Sequence, residues 1–122
     1  MTKNPLLSFN TNSIGRNPKR QKVLTFLRKK SPDFILICDT RVGKNVEAVI
    51  RDEWEGRCIF NSNTSQSRGV AIFMKKNNPA TIIDEFKDQD GNILALLMDY
   101  EGKRILLESI YGPNQDDPDF YS

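Results

Sequence analysis

The chain has 122 residues, 38% hydrophobic and 28% charged, a composition typical of one globular domain and too apolar for a disordered chain. Its 18 basic and 16 acidic residues give a net charge of +2, too balanced to predict nucleic-acid binding by itself. The absence of histidine excludes Ser-His-Asp and Cys-His catalysis. Any hydrolytic chemistry would therefore need a metal, a carboxylate or groups from another chain.

The sequence gives no sign of a membrane or secretory segment. No run approaches the roughly 18 apolar residues of a membrane-spanning helix, and segment 1–9 lacks the layout of a secretory signal. Cys38 and Cys58 lie in apolar, strand-like runs, where free buried thiols are more common than a disulfide or zinc ligands. We therefore expect an intracellular protein, nuclear or cytoplasmic, with free thiols.

The first half of the chain predicts strands and helices in alternation. A strand over 6–12 precedes a helix over about 18–30, whose apolar residues share one face and which ends before a proline. The continuous apolar run 34–38 is typical of a strand buried on both faces. A second helix is predicted over about 46–54.

The second half predicts strands only, and the turn signals Asp90-Gly91 and Glu101-Gly102 join the last three into a meander. The order of elements predicts an α/β (α+β) fold, with one mixed β-sheet and two helices on one face. The predicted strands are 57–61, 70–75, 81–86, 93–100 and 104–111.

Three of these strands, 34–38, 70–74 and 93–98, are apolar on both faces, yet two helices can cover only one face of a sheet. An apolar sheet face left bare across three strands is typical of an interaction surface. We therefore expect a homodimer, or another protein, to cover it.

Four segments in order resemble the endonuclease/exonuclease/phosphatase superfamily, most closely the AP-like endonucleases of non-LTR retrotransposons. They are SFNTNSIG at 8–15, PDFILICDT at 32–40, SRGVAIF at 67–73 and SIYGPN at 109–114. The resemblance covers nearly the whole chain. It implies half of a four-layer α/β/β/α sandwich, with 1–122 as the amino-terminal half of the domain. The second half would then cover the bare face.

The resemblance also implies a catalytic site. In that superfamily one or two magnesium ions, which prefer oxygen ligands, assist phosphodiester hydrolysis. Asp39 and Asn10 match the residues at the metal, and Tyr111 and Asn114 match those near the scissile phosphate. Considered alone, an aspartate at a strand end is more often a turn or cap residue. The joint match of all four favours the catalytic interpretation, and we expect the four to converge at one edge of a single sheet.

Four basic residues are candidates for nucleic-acid binding, because lysine and arginine supply most contacts to DNA phosphates. Arg16, Lys19 and Arg20 follow the first predicted strand, and Arg68 precedes the Gly-Val-Ala-Ile strand. The alternative for the first three is an ordinary solvated helix face, and for Arg68 a loop charge.

Two departures from the family pattern count against activity. Asp39 is one methylene shorter than the family's glutamate, and the later Gly-Asp-Phe-Asn and Ser-Asp-His segments have no counterpart. The sequence thus predicts a truncated retrotransposon-type endonuclease-like domain, inactive alone, with weak or absent magnesium binding. One alternative is an active magnesium-dependent DNA endonuclease completed by a missing carboxy-terminal half or a second chain. Another is a structural or binding subunit of a larger assembly.

Overall fold

The computed structural model of the protein describes residues 6–64 and 68–111. In this part of the chain, four strands form a first sheet in the order β1-β2-β4-β3. Strands β1 and β2 are parallel and the other pairs are antiparallel, so the sheet is mixed, as predicted. The strands are β1 (Leu6–Asn10), β2 (Phe34–Cys38), β3 (Arg57–Asn61) and β4 (Val70–Met74).

Two helices, α1 (Lys19–Lys30) and α2 (Lys44–Trp54), cover one face of this sheet. Helix α1 ends at Ser31, a left-handed residue whose N–H donates to the carbonyl of Leu27, and Pro32 then disfavours further helix. The placement of both helices on one face confirms the prediction. Their buried residues share one core with the sheet, namely Leu24, Leu27, Ile50 and Trp54 against Ile35, Ile37, Ala71 and Phe73.

The remaining strands form a separate antiparallel sheet of β5 (Thr81–Lys87), β6 (Ile93–Tyr100) and β7 (Lys103–Ile110). The turn between β6 and β7 is made by Glu101 and Gly102, whose φ angles of 51° and 77° suit a tight hairpin. The predicted meander is therefore confirmed.

The prediction that the meander belongs to the first sheet is wrong. The second sheet lies across the uncovered face of the first, and Leu94, Leu96 and Met98 are 0% exposed there. Alternating apolar residues show that a strand has a buried face, but they do not distinguish stacking on a sheet from pairing with its edge. The face that was expected to need a partner is therefore covered within this chain. The residues of the first sheet in this second core are Phe34, Val70, Ile72 and Met74.

The three layers leave a different apolar surface in solvent, the outer face of the second sheet. Phe86 and Leu106 are 57% and 58% exposed, and with Ala95 and Leu97 they line a shallow depression of about 340 Å³. Within the described ranges, no helix is long and apolar enough to cross a membrane.

Both cysteines are free, as predicted. Cys58 is buried, and this burial raises the pKa of its thiol to about 12, whereas Cys38 is half-buried. A thiol that stays protonated near neutral pH is a poor nucleophile and metal ligand. Cys58 is therefore a core residue.

Candidate functional site

The candidate site lies at one end of the first sheet, where β1 and β2 end and β4 begins. Asn10, the last residue of β1, pairs with Cys38, the last residue of β2, which in turn pairs with Val70. Since β1 and β2 are parallel, the residues that follow them emerge at the same edge. Asn10 and Asp39 are therefore neighbours in the fold, although they are far apart in sequence.

Backbone hydrogen bonds extend this edge beyond the strands. The N–H groups of Ser13 and Ile14 donate to the carbonyls of Asp39 (2.8 Å) and Thr40 (3.0 Å). On the other side, the N–H of Thr40 donates to Gly69 at 3.1 Å and that of Arg41 donates to Arg68 at 2.9 Å. We call residues 10–14, 39–41, 68–69 and 111 the strand-end site.

The backbone of the strand-end site is strained. Residues other than glycine seldom adopt positive φ, and such residues often mark functional sites. At Gly69 (φ 101°), an added Cβ would lie 2.3 Å from Thr40 Oγ1, so only glycine fits without movement. Thr40 Oγ1 is itself buried and has no hydrogen-bond partner among the described residues. The left-handed residues here are Asn12, Ser13, Asp39, Arg41 and Arg68.

The carboxylate of Asp39 is held by Arg41 through two hydrogen bonds. Nε of Arg41 donates to Oδ1 at 2.8 Å and a terminal nitrogen donates to Oδ2 at 3.0 Å. The Asp39 side chain is 8% exposed and that of Arg41 is 37% exposed. The hydrogen bond to Asp39 and the charge of that carboxylate raise the pKa of Arg41, and Tyr111 adds a smaller increase. The guanidinium therefore stays charged.

Tyr111 reaches the site from the second sheet, directly after β7, and its N–H donates to the carbonyl of Asn92 at 2.7 Å. The four predicted catalytic residues were expected at the edge of one sheet, but the two sheets share the site. Asn10 is exposed, and its side-chain oxygen accepts from the N–H of Asn12 at 3.0 Å. Asn114 lies outside the described residues. The catalytic roles of all four stay predictions.

Among the basic residues predicted to contact DNA, Arg16 and Lys19 are exposed near the site, and Lys19 Nζ donates to the carbonyl of Asn12. Arg68 is half-buried, and its backbone belongs to the site.

Arg20 requires a correction, because its residue is only 7% exposed. Its Nε donates to Glu53 Oε1 at 2.8 Å and a terminal nitrogen donates to Gly15 at 3.0 Å. The guanidinium thus joins α1 to α2 and is not available to a phosphate. The alternative of a solvated helix face is also wrong for this residue.

Sequence reasoning missed Arg41, the side chain that contacts Asp39 most closely. The only signal was the Asp39-Thr40-Arg41 spacing, in which two opposite charges are separated by one residue. Both residues are left-handed here, with φ of 60° and 51°. Left-handed backbone at two such residues is not predictable from residue type alone.

The donor groups of the strand-end site do not fit magnesium. That ion needs an octahedron of hard oxygen ligands, commonly including one or two carboxylates. Both oxygens of Asp39 accept from Arg41, and the side-chain oxygen of Asn10 accepts from Asn12. In the part of the chain that the structure describes, no group of three or more His, Cys, Asp or Glu could hold a metal ion.

Comparison with known proteins gives a match at the level of structure. No family model and no curated protein matches the sequence. The AP endonuclease LMAP from Leishmania major superposes with a TM-score of 0.66 at 14% identity, covering 93% of this chain and 41% of that one. This chain shares the fold of part of that enzyme.

Two further structures support that conclusion about the fold. The 3' phosphatase NExo from Neisseria, bound to a product DNA hairpin, has a TM-score of 0.63 at 19% identity and covers 94% of this chain. An AP endonuclease from Archaeoglobus fulgidus has a TM-score of 0.59 at 20% identity and also covers 94%. The chain spans 45% of the length of each. At such identities the likeness concerns the fold alone.

Proposed function

We propose that this chain is a nuclease-like domain that binds DNA at its strand-end site and does not hydrolyse it on its own. The observation that carries the proposal is the Asp39 carboxylate, placed at the end of two parallel strands but engaged at both oxygens by Arg41. The similar structures are named as DNA-processing enzymes, and one holds a DNA hairpin. That supports DNA as the ligand class.

Basic side chains around the site support the binding part of the proposal. Arg16 and Lys19 are exposed beside it, and Arg41 and Arg68 lie within it. Phosphate contacts from such residues position a protein on DNA without reading its sequence, and they weaken as salt rises. We therefore expect binding with little sequence preference and a strong dependence on salt.

The lack of hydrolysis follows from the donor groups. Metal-assisted phosphodiester hydrolysis needs an ion that polarises the phosphate and activates a water. We propose that magnesium binding is weak or absent here, because Asp39 is neutralised by Arg41. The sequence also has no histidine to stabilise charge on the phosphate. Loss of such stabilisation commonly costs orders of magnitude in rate.

We also propose that the chain is of the retrotransposon endonuclease type and corresponds to about half of such a domain. The four sequence segments support a retrotransposon-type endonuclease, and a length of 41–45% of the solved structures supports correspondence to about half of such a domain. If a carboxy-terminal half or a second chain supplies a further carboxylate and a histidine, the alternative is an active magnesium-dependent endonuclease. We also propose that the protein acts inside the cell, in the nucleus or cytoplasm, because the proposed ligand is DNA.

A protein partner is proposed for the outer face of the second sheet, and the partner is a second copy of this chain. Arg104 and Glu108 lie on β7 two residues either side of the exposed Leu106. If two outer faces packed with a two-fold axis near Leu106, the two β7 strands would cross antiparallel and each Arg104, whose Nε donates to Asp99 of its own chain at 3.0 Å, would face the Glu108 of the other copy. Opposite charges that face each other across a contact favour that arrangement.

The test of the proposed function measures binding and cleavage separately. Fluorescence anisotropy with a labelled DNA duplex is expected to show salt-dependent binding that Arg16→Ala weakens. Lys103→Ala serves as control, because the exposed Lys103 begins β7, at the opposite end of the second sheet from Tyr111. A supercoiled plasmid with magnesium is expected to show no nicking above background. Nicking that disappears in Asp39→Ala would instead support the active-endonuclease alternative.

A further inference from the structure

The structure suggests what replaces the metal at the strand-end site. We infer that the guanidinium of Arg41 takes the place of a divalent cation on Asp39 and binds a phosphate there directly, without metal. The inference rests on the proposed function, since it explains how the same edge would bind phosphate without hydrolysing it. Its test is independent, because it uses ions rather than DNA.

Burial of Asp39 is the first step of the argument. A carboxylate whose side chain is only 8% exposed needs an opposite charge or several hydrogen bonds, because leaving it unpaired out of water is costly. The two hydrogen bonds from Arg41, at 2.8 and 3.0 Å, supply both. A divalent cation would have to displace the guanidinium to reach the same oxygens.

The remaining donors of Arg41 are the second step. A guanidinium has five N–H donors in a planar fork, and the contacts with Asp39 use two nitrogens of that fork. The Arg41 side chain is 37% exposed, so part of it faces solvent. Arginine forks match phosphate oxygens as well as carboxylate oxygens. One guanidinium can therefore bridge Asp39 and a phosphate, as a metal ion would.

The backbone around Arg41 fixes this arrangement. The N–H of Arg41 donates to the carbonyl of Arg68 at 2.9 Å. The preceding residue, Thr40, accepts a backbone hydrogen bond from Ile14 and donates one to Gly69. A donor held in place loses less entropy when it binds its ligand than a free side chain does. Arg41 is thus positioned in advance for a phosphate.

The first test asks whether a divalent ion reaches Asp39. Mn²⁺ is added to ¹⁵N-labelled protein, and paramagnetic broadening of the amide signals of Asp39 and Thr40 is measured. The wild type is expected to show no broadening specific to these amides. Arg41→Gln is expected to show that broadening, at Mn²⁺ concentrations at least roughly tenfold below any that affect these amides in the wild type, because one opposite charge is removed from the carboxylate. The double variant Asp39→Asn/Arg41→Gln should lose that broadening.

The second test asks whether Arg41 binds phosphate without metal. Inorganic phosphate is titrated in the presence of EDTA, and the side-chain Nε–Hε signal of Arg41 is expected to shift while that of Arg104 does not. Specific Mn²⁺ broadening in the wild type, or an unmoved Arg41 signal, would overturn the inference. Because neither test contains DNA, failure to bind a duplex while both tests succeed would count against the proposed function alone.

Discussion

At the scale of single residues, Gly69 is the position most sensitive to substitution. Its φ of 101° and the 2.3 Å approach of an added Cβ to Thr40 Oγ1 predict that Gly69→Ala lowers the free energy of unfolding by about 1–3 kcal/mol. The measurement is the urea midpoint of the two proteins. Gly43→Ala is the control, since its added Cβ meets nothing within 4 Å. Equal losses in the two variants would contradict the assigned strain.

Part of the strand-end site was predictable from the sequence. Asn10 and Asp39 were singled out by the family resemblance, and they lie at one edge because residues that follow parallel neighbouring strands emerge together. The contact of Arg41 with Asp39 was not predicted, since it forms in a segment of left-handed residues whose backbone is bonded to distant parts of the chain. Burial of Arg20 was missed for a related reason, as its partner Glu53 comes from the other helix.

At the scale of elements, Asp33 joins the two sheets. It directly precedes β2, and its carboxylate accepts from Tyr100 of β6 at 2.7 Å and contacts Lys75 Nζ at 2.9 Å. The hydrogen bond to Asp33, followed by desolvation, raises the pKa of Tyr100 to about 12. Since an unfolded tyrosine titrates near 10, this stabilisation is complete below about pH 10 and is lost as pH rises through about 12.

Ultraviolet titration of tyrosinate tests this contact between the sheets. The wild type should show an ionisation step near pH 12 that Tyr100→Phe removes and Tyr111→Phe leaves in place. Tyr100→Phe should also lower the free energy of unfolding near neutral pH by about 1 kcal/mol, the usual net value of one hydrogen bond. Persistence of the late step in Tyr100→Phe would assign it to another group.

The elements themselves were largely predictable. Strands β2, β3 and β6 begin and end where the apolar pattern places them, and the other elements differ by one or two residues at their ends. The assignment of the meander to its own sheet was not predictable, because β6 has the same alternation in either arrangement. Packing against Ile72 and Met74, far from β6 in sequence, decides between them.

At the scale of the whole molecule, Leu96 and Leu97 distinguish the inner face of the second sheet from its outer face. Leu96 is 0% exposed between the sheets, whereas Leu97 lines the outer depression. Leu96→Asp is expected to unfold the protein, because a buried unpaired carboxylate costs as much as a domain's whole free energy of unfolding. Leu97→Asp should remain folded by circular dichroism.

The variant Leu97→Asp also tests whether two copies of the chain associate through their outer faces. Sedimentation of the wild type is expected to show a dimer that Leu97→Asp converts to a monomer, because the charge would enter the proposed contact between two outer faces. A wild-type monomer at high concentration would remove the second copy as partner and leave the fold unaffected. A dimer that persists in Leu97→Asp would place the contact elsewhere on the molecule.

Hydrogen bonds from both sheets hold the strand-end site. The site therefore forms only when the whole chain is folded. The N–H of Gly69 donates to Gly91 at 3.0 Å, and that of Tyr111 donates to Asn92 at 2.7 Å, so the turn before β6 supports both. A peptide copy of 38–42 would lack these partners and relax to ordinary backbone angles. The site cannot therefore be transplanted as a linear motif. Conversely, any ion bound there shifts the folding equilibrium toward the native state in proportion to its concentration.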